Sequence, residues 1–202
     1  MKEKEFYYTI EKAAQAEFKD RGSKFIAYVF PLRQVEEFKQ LLRNLKKEHP
    51  KAAHHCFAYR IGTDGTVFRS GDDGEPAGTA GKPILSQIDS RQLTNVAVIV
   101  VRYFGGTLLG VPGLINAYKT AASFALQLSP IVQKPVEKEV QIQFDYTRLN
   151  EVMVVLKQYN CRVIEQQMQL FCTIKAAIPL NRKEEVLYHL NEIPHIEVAP
   201  TS

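Results

Sequence analysis

The chain has 202 residues, 45% of them apolar and 24% charged, with a formal net charge of +4. That length supports one or two domains with sizeable cores, and the composition excludes disordered and collagen-like chains. No apolar run approaches the roughly 20 residues of a membrane helix. The charged start Met1-Lys2-Glu3-Lys4-Glu5 has no apolar segment behind it, so no secretory signal is read and a cytoplasmic protein is expected.

Three cysteines, Cys56, Cys161 and Cys172, are an odd number without metal spacing and suit reduced thiols. The charge is unevenly distributed. Residues 137–202 carry seven Lys+Arg against nine Asp+Glu, whereas residues 1–136 carry 19 against 13. The first part is therefore the better candidate for an anionic partner such as RNA.

In chain order, Phe25 to Phe30 is a short apolar run ended by Pro31 and predicts a strand. Residues 33–48 place Val35, Phe38, Leu41, Leu42 and Leu45 at helical spacing, with Arg33, Lys39, Arg43, Lys46 and Lys47 on the polar face. Pro50 closes that helix. Phe57–Ile61 predicts a strand, and Asp64-Gly65 a hairpin turn into Thr66-Val67-Phe68. A helix is expected over Ser86–Thr94. The β-branched run from Asn95 to Val101 predicts a fully buried central strand. A second helix is expected to start near Pro112, burying Leu114, Ala117, Ala121, Phe124, Ala125 and Leu128. Pro130 to Pro135 is read as a linker.

Beyond the linker the order changes to strand, helix, strand, strand, helix, strand over about 60 residues, which is the split-βαβ arrangement. The chain is thus expected to be α+β, with residues 1–132 as one domain and a ferredoxin-like βαββαβ domain at 137–202.

Two runs carry chemistry that packing does not ask for. The first is Arg69 to Gly81, dense in glycine and acid. The second is Arg102-Tyr103-Phe104-Gly105-Gly106-Thr107-Leu108-Leu109-Gly110, which follows the central strand. A strand, a glycine turn and a helix N-terminus make an anion site, because free backbone N–H groups and the helix dipole point at the ligand. Gly105, Gly106 and Gly110 would form that turn, and Arg102 and Lys82 would contact phosphate. A tight connection that simply needs glycines is the plainer alternative.

Asp72, Asp73 and Glu75 admit cation binding or acid–base work. Their spacing lacks the alternation of a calcium loop, and turn chemistry explains Asp beside Gly better. His54 and His55 alternate across an extended chain, so they cannot readily share one metal. No metal and no cofactor are expected. Cys56 with His54 as base is weaker than a buried thiol beside a hydrogen-bonded imidazole.

These residues resemble a known family. Asp72 through Leu85, Asn95-Val96 and Arg102 through Gly110 carry the likeness, joined by Ser23-Lys24-Phe25 and Ala53 through Tyr59. Over about residues 18–128 the chain resembles the IMPACT family. The resemblance implies an N-terminal α/β sandwich like the second domain of a small-subunit ribosomal protein, shared with elongation factor G and small-molecule kinases. It also implies a C-terminal domain like one of elongation factor G, and a link to translation. Eukaryotic relatives regulate a translation-initiation kinase by binding its activator, through a domain this chain lacks. His54, Asp72, Asp73, Glu75, Thr79, Tyr103 and Tyr118 are then expected as cleft residues. The chain departs from the family pattern at Pro112-Gly113-Leu114 and Asn116-Ala117-Tyr118, where an arginine is replaced at position 116.

The first expectation is a non-enzymatic, translation-associated protein that binds RNA or the ribosome through its N-terminal domain. An enzyme acting on a phosphorylated small molecule or nucleotide is the second, and a protein-interaction regulator using the basic helix is the third.

Overall fold

A computed structural model describes residues 4–201. They contain eleven strands and five α-helices: β1 Phe6–Ile10, β2 Ala14–Asp20, β3 Ser23–Pro31, α1 Val35–Glu48, β4 His54–Ile61, β5 Val67–Gly71, α2 Gly81–Ser90, β6 Val96–Tyr103, α3 Gly110–Gln127, β7 Ile131–Pro135, β8 Glu137–Asp145, α4 Leu149–Gln158, β9 Arg162–Gln167, β10 Phe171–Pro179, α5 Lys183–Asn191 and β11 Ile196–Pro200. The chain divides into two compact units. Residues 7–134 form one, and the residues through 6 together with 135 onward form the other.

The larger unit is built on a five-stranded sheet of order β2-β3-β6-β4-β5, antiparallel throughout. β6 is central and buried on both faces, as its continuous Val/Ile content demands. The pleat then assigns each side chain. Phe25, Ala27, Cys56, Ala58, Val98 and Val100 face α2 and α3, with Ala117 and Ala121 letting α3 lie close. Tyr28, Tyr59, Ala97, Ile99 and Val101 face α1, which contributes Phe38 and Leu45. Helices on both faces of one sheet make the sandwich.

In the smaller unit, β8, α4, β9, β10, α5 and β11 form a four-stranded antiparallel sheet of order β11-β8-β10-β9. Val152 and Leu156 of α4 and Val186 and Leu190 of α5 share one core with Ile142, Ile174 and Ile178. This is the expected βαββαβ arrangement.

Four expectations need correction. Residues 131–135 are a strand, β7, paired with β1, rather than a linker. A segment with Pro at both ends reads as a connection, but an edge strand tolerates those prolines. β1 and β2 are strands that the reading above leaves out: β1 is the aromatic and β-branched run Phe6-Tyr7-Tyr8-Thr9-Ile10, and β2 alternates half-buried and exposed residues. α2 begins at Gly81 and ends at Ser90, ahead of the expected Ser86–Thr94. Pro83 sits in its first turn, where a missing N–H costs nothing. Phe124 of α3 and Leu128 just beyond it are exposed, while Tyr118, Ala122 and Leu126 are buried. The helix therefore turns a different stripe inward at its C-terminal end than the spacing suggested.

Candidate functional site

The acidic loop is first a piece of structure. Its burial by itself would raise the Asp72 carboxyl, but backbone N–H groups of Gly78, Gly81 and Ala80, with Lys82 nearby, outweigh that and hold it below the ordinary carboxylate range. Two of those donors are free N–H groups at the start of α2, which has no cap of its own, so Asp72 caps the helix from nine residues away. Asp73 accepts from the His55 backbone N–H at 2.7 Å and from Lys46 Nζ at 3.1 Å. Thr79 donates its hydroxyl to the Pro76 carbonyl at 2.7 Å and is buried. Lys82 is exposed on the first turn of α2.

Glu75 behaves differently. It is buried and accepts at Oε1 from Arg102 Nη1 at 2.5 Å and from the Tyr118 hydroxyl at 2.7 Å. Arg102 also donates from Nη2 to Ser23 Oγ at 3.2 Å and stacks between the Phe25 and Phe104 rings. Its Nε–H is buried without a partner. Cys56 Sγ lies 3.0 Å from the Asp72 carbonyl and 3.3 Å from the Tyr118 hydroxyl oxygen. Burial pushes both the Cys56 thiol and the Tyr118 phenol far above their ordinary ranges, so neither ionises near neutrality.

His54 stands directly opposite Arg102 in the β4–β6 ladder. Its Nδ1–H donates to the Asp73 carbonyl at 2.8 Å, since a carbonyl only accepts. Nε2 then points toward Glu75 Oε1, 3.8 Å away.

These groups form the floor of a pocket of about 330 Å³ whose walls are Pro76, Phe104, Leu108, Leu109, Val111 and Leu114. Of these, Phe104, Leu108 and Val111 are exposed at its mouth. His54, Glu75, Arg102 and Gly110 line it, and Tyr118 braces Glu75 from below. The loop after β5 and the start of α3 thus share one cleft.

The other predicted residues lie elsewhere. Asp72, Asp73 and Thr79 hold the loop, and Lys82 is outside the lining. Tyr103 points to the opposite face of the sheet, one residue out of phase with Arg102, and meets His49 Nδ1 at 2.8 Å. Gly105 is required sterically, because a Cβ there would sit 1.9 Å from the Gly22 carbonyl carbon. Its N–H donates to Ser23 Oγ. Gly106 and Gly110 adopt positive φ with open space around them. Sequence reasoning missed the apolar wall, and the exposed residues Leu108 and Val111 were the available signal. Among the described residues no cluster of His, Cys, Asp and Glu is arranged to hold a metal ion, and no helix is long and apolar enough to cross a membrane.

Comparison with known proteins places this geometry in a family. The Impact N-terminal domain pattern matches residues 21–126. An IMPACT family member of Haemophilus influenzae is 37% identical over 80% of each chain. The Escherichia coli IMPACT family member YigZ is 35% identical over 82% of each. A crystal structure described as a hypothetical protein is 30% identical and superposes with a TM-score of 0.79 over 98% of both chains. The match begins two residues before β3, ends within α3 and so spans the whole cleft, and the chain belongs to the IMPACT family.

Proposed function

We propose that the protein is a non-enzymatic regulator associated with translation, and that its larger unit binds RNA or the ribosome electrostatically. The observation that carries this reading is a ridge of cations on α1. Lys39, Arg43 and Lys47 recur every four residues and share one helical face, with Lys46 beside them and Lys51 just beyond the helix. All five are exposed. Lys39 pairs with Glu36 and Lys46 with Asp73, but among the described residues Arg43, Lys47 and Lys51 form no ion pair. Unneutralised cations in a row suit a phosphate backbone. Family membership supports the link to translation.

The alternative, an enzyme acting on a phosphorylated small molecule, needs the guanidinium fork of Arg102. Both of its NH₂ groups are already committed, to Glu75 and to Ser23.

Filter binding with structured and single-stranded RNA across a salt series tests the proposal. Three or four phosphate contacts to a single strand give a slope of log K against log salt of about −2 to −3. Replacing Arg43, Lys47 and Lys51 with serine should flatten that slope by about two. No association at low salt, or an unchanged slope in the triple variant, refutes it.

A further inference from the structure

Inside the cleft two hydrogen-bond acceptors, His54 Nε2 and the Glu75 carboxylate, lie side by side. His54 uses Nδ1–H on the Asp73 carbonyl, which in the uncharged imidazole leaves the lone pair at Nε2. That atom is 3.8 Å from Glu75 Oε1, too far to bond directly. Glu75 accepts both of its bonds at Oε1, so its further acceptor capacity lies at the second carboxylate oxygen, Oε2. Glu75 and Arg102 cancel in charge, so the floor is electrically neutral and rich in acceptors. A neutral group with two N–H donors completes it better than an anion does.

The remaining walls define what carries that group. Phe104 is 52% exposed and holds the Arg102 guanidinium 5.6 Å from its ring centroid, leaving aromatic surface for stacking. Leu109 and Leu114 supply apolar contact. α3 has no side-chain cap, and its first residues, Gly110 and Val111, line the cleft, so backbone N–H donors stand at one side. A flat ring bearing an amino group beside a ring-nitrogen acceptor matches an acceptor floor, a donor edge and an aromatic wall. The volume of about 330 Å³ suits one base with its ribose.

We propose that this pocket binds a single amino-bearing nucleobase, adenine or cytosine, as a free nucleoside or as an unpaired base of a strand. In its strand form the inference rests on the RNA reading of the larger unit, but its test does not require that reading to hold.

Calorimetric titration of the full chain with adenosine and with purine riboside, which lacks only the amino group, is the primary experiment. Cytidine against uridine repeats the comparison, and inorganic phosphate is the control. Loss of the amino group should weaken binding about tenfold or more, because it leaves the acceptor pair unmatched. His54→Ala should abolish binding. Val111→Trp, made at an exposed position, should close the mouth without disturbing the core. The serine triple variant on α1 should bind adenosine unchanged, which separates this site from the electrostatic one. Binding of adenosine identifies the free nucleoside as sufficient. Binding of oligoadenylate alone, lost in His54→Ala and in Val111→Trp, identifies the strand as the source. Equal affinity for adenosine and purine riboside overturns the proposal. So does affinity unaffected by both variants, or no binding of either adenosine or oligoadenylate at millimolar concentration.

Discussion

Replacing Glu75 with alanine should be among the most damaging single changes in the larger unit. Arg102 is 5% exposed and its strongest partner is Glu75, at 2.5 Å. Removing the carboxylate leaves a buried guanidinium uncompensated, which costs about 3–5 kcal/mol. It also strands the Tyr118 hydroxyl, which is buried and donates to the same oxygen. For a chain of this size each kcal/mol lowers the melting temperature by about 2–4 °C, so a fall of roughly 6–20 °C is expected. Charge compensation between the two side chains predicts more than instability alone. Arg102→Met removes the cation while keeping an apolar stem between Phe25 and Phe104. Glu75→Ala and Arg102→Met together should therefore cost at least about 2 kcal/mol less than the sum of the single changes. Urea unfolding followed by circular dichroism and tyrosine fluorescence measures all four corners, since the chain has no tryptophan. A cost below about 1 kcal/mol for Glu75→Ala, or additivity of the two changes, would mean the pair does not hold the cleft floor.

Other expectations follow from single contacts. Gly105→Ala should cost about 3 kcal/mol or more, because its Cβ would meet Gly22 backbone at 1.9 Å. Gly106→Ala, in open space but at φ +84°, should cost only about 1 kcal/mol, and comparison of the two urea midpoints checks the order. Asp72→Asn should cost about 2 kcal/mol at neutral pH by weakening three backbone bonds. The folded Asp72 carboxyl titrates below its unfolded value, so its contribution is present above about pH 4 and is lost as pH falls further. The gap between wild type and variant in urea midpoint should accordingly hold above about pH 5 and shrink toward pH 3; a constant gap would count against the cap. Burial keeps Cys56 protonated and raises Cys161 to about 11, so alkylation at pH 8 should be slow at both, with Cys56 reacting only through unfolding. Peptide mapping that finds Cys56 labelled faster than the chain unfolds would contradict this.

Much of the architecture was legible because its signals are local. The Val/Ile run of β6 marks a strand buried on both sides, and Asp64-Gly65 marks the β4–β5 hairpin. The α4 and α5 spacings, with the strands around them, mark the smaller unit. β1 carries a strand signal of its own in Phe6-Tyr7-Tyr8-Thr9-Ile10, whereas β7 and the start of α2 have weak local signals and depend on partners. β7 is a strand because β1 pairs with it, and α2 starts at Gly81 because a carboxylate nine residues back caps it.

The same division holds in the cleft. Residue types and order placed chemistry in the runs Asp72–Gly81 and Arg102–Gly110, and pleat parity already separated His54 from His55. What each residue does there was decided by contacts across the sheet. Arg102, read as a phosphate contact, is paired with Glu75; Gly105, read as part of an anion turn, makes room for Gly22; and Tyr103 faces away toward His49. Sequence by itself determined where the unusual groups lie, since glycine, acid and arginine density is a property of the chain. Only tertiary structure decided which charges cancel and which acceptors remain open, because those depend on distances of a few ångströms between residues tens of positions apart.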